Sequence, residues 1–169
     1  MDYLIVVDMQ NDFIDGALGT PEAEAIVDRV ADKARDFPGT VIFTRDTHGG
    51  DYLLTQEGRK LPIRHCIKPE HGWQICPKLK EFSENALIYD KPTFGSRSLA
   101  EYIAEKADAE SITLVGLCTD ICVISNAMLL KAFMPETAVR VDSSCCAGVT
   151  PQSHRNALEA MKACQIEII

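Results

Sequence analysis

The sequence predicts an α/β fold: helices packed on both faces of a largely parallel sheet. Three observations lead there. Short apolar, β-branched runs alternate with stretches whose apolar residues recur at helical spacing. The runs are apolar almost without interruption, as strands covered on both faces require. The reactive side chains follow the ends of those runs, where open α/β sheets collect their working residues.

The first strand is Tyr3-Leu4-Ile5-Val6-Val7, ending at Asp8. Met9 to Gly16 reads as a polar loop. Thr20-Pro21-Glu22 opens a helix with a cap, a proline at the first position and an acid. Ile26, Val27, Val30 and Ala34 carry it to about Arg35. Pro38-Gly39 breaks the chain, and Thr40-Val41-Ile42-Phe43-Thr44 is the second strand, followed by Arg45-Asp46-Thr47-His48.

Gly49 to Lys78 is long and irregular. A loop of that length in a compact domain is functional or disordered, and this one is too rich in aromatic, apolar and cysteine residues for disorder. Ala86-Leu87-Ile88-Tyr89-Asp90 is the third strand, with Lys91 at its end. A helix from Ser96 or Arg97 to Lys106 follows. Ser111-Ile112-Thr113-Leu114-Val115 is the fourth strand, and Val123 to Phe133 is helical up to Pro135. Ala138-Val139-Arg140-Val141 is the fifth strand, Thr150-Pro151 opens the last helix, and Ile166-Glu167-Ile168-Ile169 closes the chain as a strand. Residues 1–169 read as one domain, without repeat or linker, with a metal-binding loop at about 46–78.

Composition narrows the function. A net charge of -8 without any basic run argues against nucleic-acid binding. No apolar run reaches membrane-spanning length. Met1-Asp2-Tyr3 enters the first strand with no leader-like pattern. The 7 cysteines are odd in number and scattered, which favours catalytic or metal roles over a disulfide framework and a cytoplasmic location.

Gly116-Leu117-Cys118-Thr119-Asp120-Ile121-Cys122-Val123 concentrates the chemistry. With Thr119 or Asp120 as cap, Cys122 falls in the first turn of a helix, where unpaired N–H groups and the helix dipole favour a thiolate. Cys122 therefore reads as a nucleophile; the alternative is a small buried hydrophobe. Asp8, Asp46, His48, Lys91 and Cys122 all follow strand ends, and so fall on one edge of the sheet. Asp8 can take the thiol proton, Lys91 can stabilise anionic neighbours, and N–H groups of the 118–122 turn can hold an oxyanion. This is a set of parts for acyl transfer. A second cluster, Asp46-x-His48 with Glu57 and His65, suits zinc, iron or manganese. A rival zinc knot of His65, Cys66, His71 and Cys76 fits no standard spacing.

On the motifs Val6-Val7-Asp8-Met9-Gln10-Asn11-Asp12-Phe13, Thr44-Arg45-Asp46-Thr47-His48, Lys91 and Gly116 to Cys122, the whole chain resembles the nicotinamidase/isochorismatase-like cysteine hydrolases. The resemblance implies a three-layer α/β/α fold with a six-stranded parallel sheet in order 3-2-1-4-5-6. It implies a triad of Asp8, Lys91 and Cys122, a cis peptide at Leu117–Cys118, and an oxyanion hole from the N–H groups of Cys118 and Cys122. Asp46, His48 and His65 match the metal ligands of the nicotinamidase branch, and Glu57 matches an additional one. The metal, zinc foremost, takes the pyridine nitrogen in that branch, and Phe13 would pack on the ring. The implied activity is hydrolysis of nicotinamide to nicotinate and ammonia through a thioester. The alternative is a related hydrolase acting on another small amide or on isochorismate. Self-association is a further family expectation. Trp73 is open between a place on the substrate and a place in the core.

Overall fold

The computed structural model describes residues 1–169. One six-stranded parallel sheet runs through the whole chain in the order β3-β2-β1-β4-β5-β6. The strands are β1 (Asp2–Val7), β2 (Thr40–Asp46), β3 (Leu87–Lys91), β4 (Ser111–Leu117), β5 (Ala138–Ala147) and β6 (Glu167–Ile168). The expected fold class and strand order are both present.

The unbroken apolar run of β1 has a plain cause. Leu4 and Val6 point into a core shared with Phe43, Val115 and Leu117, covered by helices α2 (Pro21–Asp36) and α4 (Pro77–Ser83). Tyr3, Ile5 and Val7 point the other way, against Ile42, Ile112 and Leu114 under α5 (Arg97–Lys106), α6 (Ile124–Phe133) and α7 (Pro151–Ala163). Alternate residues of a strand face opposite sides, so a strand in the middle layer must be apolar at every position. No helix is long and apolar enough to cross a membrane.

The helix starts follow their capping residues. Thr20 accepts a hydrogen bond from Ala23 N, and Ser96 from Leu99 N. Thr150 and Ser153 form a reciprocal capping box. Each cap satisfies one of the N–H groups a helix leaves unpaired at its start, and is worth about 1 kcal/mol.

Several elements depart from expectation. The loop after Asp8 holds a short helix α1 (Asn11–Ile14). The 49–78 segment contains 3₁₀ turns at Tyr52–Leu54 and His71–Trp73, helix α3 (Gln56–Lys60), and the start of α4. These turns are too short to show a helical period. β5 runs on to Ala147, past Asp142, because its far half still pairs with β4 after a register shift between Leu114 and Gly116. Gly116 sits at that shift with φ +114°, and a Cβ there would fall 2.1 Å from Val7 O. Only glycine lets β4 lie this close to β1. The Leu117–Cys118 peptide is cis.

Candidate active site

β1 and β4 are neighbours at the point where the strand order reverses, and the groups beyond their carboxyl ends meet there. Asp8 leaves β1 with φ 48° and is fully buried. Lys91 ends β3 and Cys122 follows β4; both are buried. Lys91 Nζ lies 2.6 Å from Asp8 Oδ2 and 3.3 Å from Cys122 Sγ. Asp8 Oδ1 accepts from Thr44 Oγ1 at 2.6 Å. Asp8 Oδ2 has the Lys91 ammonium as its partner.

The electrostatics refine the sequence reading of Cys122. Burial pushes its thiol well up, and the charge of Asp8 adds to this, outweighing the pull of Lys91. These surroundings favour the thiol, whereas a helix start alone would favour the thiolate. The local backbone shows why. Residues Thr119–Val123 form a π-helical turn, with α6 beginning only at Ile124. Neither expected residue caps it: Thr119 Oγ1 pairs with His154 Nδ1 at 2.8 Å, and Asp120 Oδ1 accepts from Val149 N at 3.0 Å. The 118–122 turn is thus tied sideways to α7 through His154 and to the β5–α7 connection through Val149.

Asp8 itself is raised above the ordinary carboxylate range, because burial and the nearby Asp46 charge outweigh Lys91. That makes it a stronger base than a solvated aspartate. Burial pulls Lys91 down, but Asp8, Cys122 and Asp46 together raise it, so it stays charged. Burial pushes the neighbouring Cys118 thiol up to about 12, and no side-chain donor touches its sulfur. Of the sulfurs at this edge, Cys122 alone has the lysine in contact.

The second predicted cluster also assembles. Asp46 Oδ2 is 2.9 Å from His48 Nε2 and 3.4 Å from His65 Nε2. Glu57 Oε1, carried on α3, is 3.7 Å from the first and 3.8 Å from the second. One donor atom from each of the four residues falls within 4.8 Å of the others. His65 Nδ1 donates to Ile63 O at 2.8 Å, which fixes the ring with Nε2 facing the carboxylates. Two imidazoles and two carboxylates converging on one point fit a zinc, iron or manganese ion. The rival knot does not form: His71 and Cys76 do not join His65.

Asp46 links the two clusters, since its Oδ1 lies 3.5 Å from Lys91 Nζ. Burial raises its carboxyl, but hydrogen bonds from His48 and His65 and the charge of Lys91 outweigh that and hold it well below the usual range. Above both clusters opens a cavity of about 530 Å³. Its walls include Phe13, Leu18, Leu61, Phe94, Cys118 and Ile121, with Asp46, His48, Glu57, His65 and Cys122 at its floor and side. The Phe13 ring lies 5.6 Å from that of His65. Trp73 is elsewhere: its ring stacks under Arg45 at 3.8 Å and its Nε1 donates to Thr47 Oγ1. Leu18 and Ile121 line the cavity but carried no distinguishing signal in the sequence, because ordinary apolar residues mark a pocket only once the chain is folded. Thr44, the hydroxyl on Asp8, was hidden inside an apolar strand.

Comparison with known proteins agrees with this geometry. A family profile described as the Isochorismatase domain matches residues 2–169. A nicotinamidase/pyrazinamidase from Mycobacterium tuberculosis is 29% identical over 187 residues, covering 100% of this chain and 98% of the relative. A nicotinamidase from Saccharomyces cerevisiae is 24% identical over 216 residues, covering 100% and 99%. Among solved structures, the pyrazinamidase of Pyrococcus horikoshii in complex with zinc superposes with a TM-score of 0.84 at 28% identity, covering 99% of this chain and 98% of that one.

Proposed function

The chain belongs to the isochorismatase family, matched over residues 2–169, and on that footing we propose that it is a nicotinamidase-type cysteine hydrolase, converting nicotinamide and water to nicotinate and ammonia. The observation that carries the proposal is the contact of Asp8, Lys91 and Cys122 beside a four-residue metal-capable group, all opening into one cavity.

The roles follow from the geometry. Cys122 Sγ attacks the amide carbon as its proton passes to the Asp8 carboxylate. The tetrahedral oxyanion is held by the backbone N–H groups of Cys118 and Cys122. Asp8 returns the proton to the amide nitrogen, the C–N bond breaks, ammonia leaves, and a Cys122 thioester remains. Asp8 then takes a proton from water as its oxygen adds to the thioester carbon. Collapse releases the acid and restores the Cys122 thiol. Lys91 keeps a positive charge against the carboxylate and the sulfur throughout, so negative charge is never left unpaired in a buried site.

Asp46, His48, Glu57 and His65 would hold a divalent metal ion. Bound there, the ion supplies a Lewis acid able to coordinate a ring nitrogen and fix the ring's orientation. Phe13 and Phe94 supply apolar surface for an aromatic ring. The same chemistry accommodates pyrazinamide. Self-association is part of the proposal on family likeness, with light scattering as its test. A cytoplasmic location is supported by seven free cysteines in the folded chain.

The deciding experiment is ammonia release from nicotinamide and pyrazinamide by zinc-loaded protein and by Cys122→Ala. The wild type should turn over and the variant should not. A wild type that releases no ammonia from either amide would overturn the proposal.

A further inference from the structure

One motif stands outside the chemistry so far. Gln10, Asn11 and Asp12 form a run of polar side chains, yet Gln10 is fully buried and Asn11 nearly so. None of the three hydrogen-bonds Asp8, Lys91 or Cys122 with its side chain. Apart from Asp12 Oδ1, which accepts from Ala17 N at 3.3 Å, their side-chain hydrogen bonds go to the 46–73 segment.

Gln10 is used on both ends of its amide. Its Oε1 accepts from Asp46 N at 2.7 Å, and its Nε2 donates to Asp46 O and to Trp73 O, each at 2.8 Å. A side-chain amide thereby pairs with a backbone peptide as a neighbouring strand would, at the residue whose carboxylate joins the two histidines. Asn11 Nδ2 donates to His71 O at 2.9 Å, and Asn11 N to Gln74 O at 3.0 Å. Asp12 Oδ2 accepts from Cys66 N at 2.7 Å, the peptide directly after His65. Cys66 O in turn accepts from His48 N at 3.0 Å, so the backbones beside both histidines hang from one carboxylate. Gly72 lies against the same group: a Cβ there would fall 2.0 Å from Asp12 Oδ2.

Apart from the single-residue bridge between His48 and Ile67, the stretch between Asp46 and Trp73 has no ladder of its own. A loop without regular pairing does not hold four donor atoms within 4.8 Å unaided. A buried amide paired at both ends, as at Gln10, with a half-buried carboxylate on the Cys66 N–H, favours a single arrangement, because the alternatives leave a polar group unsatisfied.

We propose that Gln10 and Asp12 are positioning residues for the metal centre: Gln10 sets the backbone of Asp46, and Asp12 sets the strand-like pair that carries His48 and His65. This rests on reading Asp46, His48, Glu57 and His65 as metal ligands. The two residues act on cation affinity through the loop backbone. They do not act on the reacting atoms.

The test measures the zinc dissociation constant by competition with a chromophoric chelator for wild type, Gln10→Met, Asp12→Ala and Asp12→Asn. Cys122 alkylation and urea unfolding are followed alongside. Gln10→Met and Asp12→Ala should each bind zinc about 10- to 100-fold more weakly, as is typical when groups behind a ligand shell are removed. Cys122 should still alkylate at the wild-type rate. Asp12→Asn keeps an oxygen for Cys66 N and should recover most of the affinity. Wild-type zinc affinity in Gln10→Met and Asp12→Ala overturns the proposal. So does a loss of zinc matched by an equal loss of Cys122 alkylation, which would mark a general support of the fold. Should Gln10→Met not fold, the Ala and Asn pair at position 12 decides. A wild type that binds no zinc defeats the ligand assignment itself and this inference with it, a result distinct from variants that bind as well as the wild type.

Discussion

Replacing Asp8 by asparagine separates two roles that a single carboxylate holds. The exchange keeps shape and leaves an oxygen for the Thr44 hydroxyl, 2.6 Å away in the wild type. It removes the only base beside the Cys122 thiol. Loss of a positioned general base costs about 10²- to 10⁴-fold in rate, or about 3 to 5 kcal/mol of barrier. Ammonia release should fall by that factor. The thiol should move the opposite way. Its proton is held first by burial and then by the Asp8 charge, against the pull of Lys91 at 3.3 Å. With Asp8 neutral, Lys91 turns its charge on the sulfur, and the pH midpoint of iodoacetamide labelling should fall. Stability should fall too, because a buried lysine loses its 2.6 Å partner. Such a loss costs about 3–5 kcal/mol. Asp46 Oδ1 at 3.5 Å remains, which favours the lower end and a protein that still folds. Hydrolysis within threefold of wild type, or a labelling midpoint that stays or rises, would refute the assignment of Asp8 as base.

Other outcomes follow from the same structure. Chelation, or His65→Ala, should raise KM for nicotinamide while Cys122 alkylation stays at the wild-type rate; equal loss of both would mean that the two clusters do not act separately. Gly116→Ala should destabilise by about 1–3 kcal/mol from backbone strain alone, and by more from a Cβ 2.1 Å from Val7 O, read from the urea midpoint. The Asp142 carboxyl is raised by burial but lowered more by Ser144 and by Lys33 at 2.9 Å, so its folded value lies below the unfolded one. The stability this contributes is present above the unfolded carboxylate value and is lost as pH falls through the lowered one. Asp142→Asn should therefore cost about 1 kcal/mol at neutral pH, and the difference from wild type should close in strongly acidic urea titrations.

Much of the site was legible before folding because its residues sit at strand ends. In a parallel sheet every strand delivers its last residue to the same edge, and the order β3-β2-β1-β4 makes Asp8, Asp46, Lys91 and the 118–122 turn neighbours along it. His48, Glu57 and His65 could be nominated by donor type alone. Nothing in their spacing of nine and eight residues requires a common point; the Gln10 and Asp12 hydrogen bonds hold the backbone at Asp46 and at Cys66, on either side of the loop that carries them. The same loop hid its short helices, since one turn of helix has no period to detect.

What the sequence determined by itself, then, is whatever depends on local pattern: the alternation of strand and helix, the capped helix starts at Thr20, Ser96 and Thr150, and the kinds of side chain placed at the sheet's edge. What only the tertiary structure decided is whatever depends on surroundings. Cys122 reads as a ready thiolate when its neighbours along the chain are considered, and as a held thiol once Asp8 and burial act on it. Ionisation responds to charge and solvent within a few ångströms in space, and those neighbours come from residues that lie 114 positions apart in the chain.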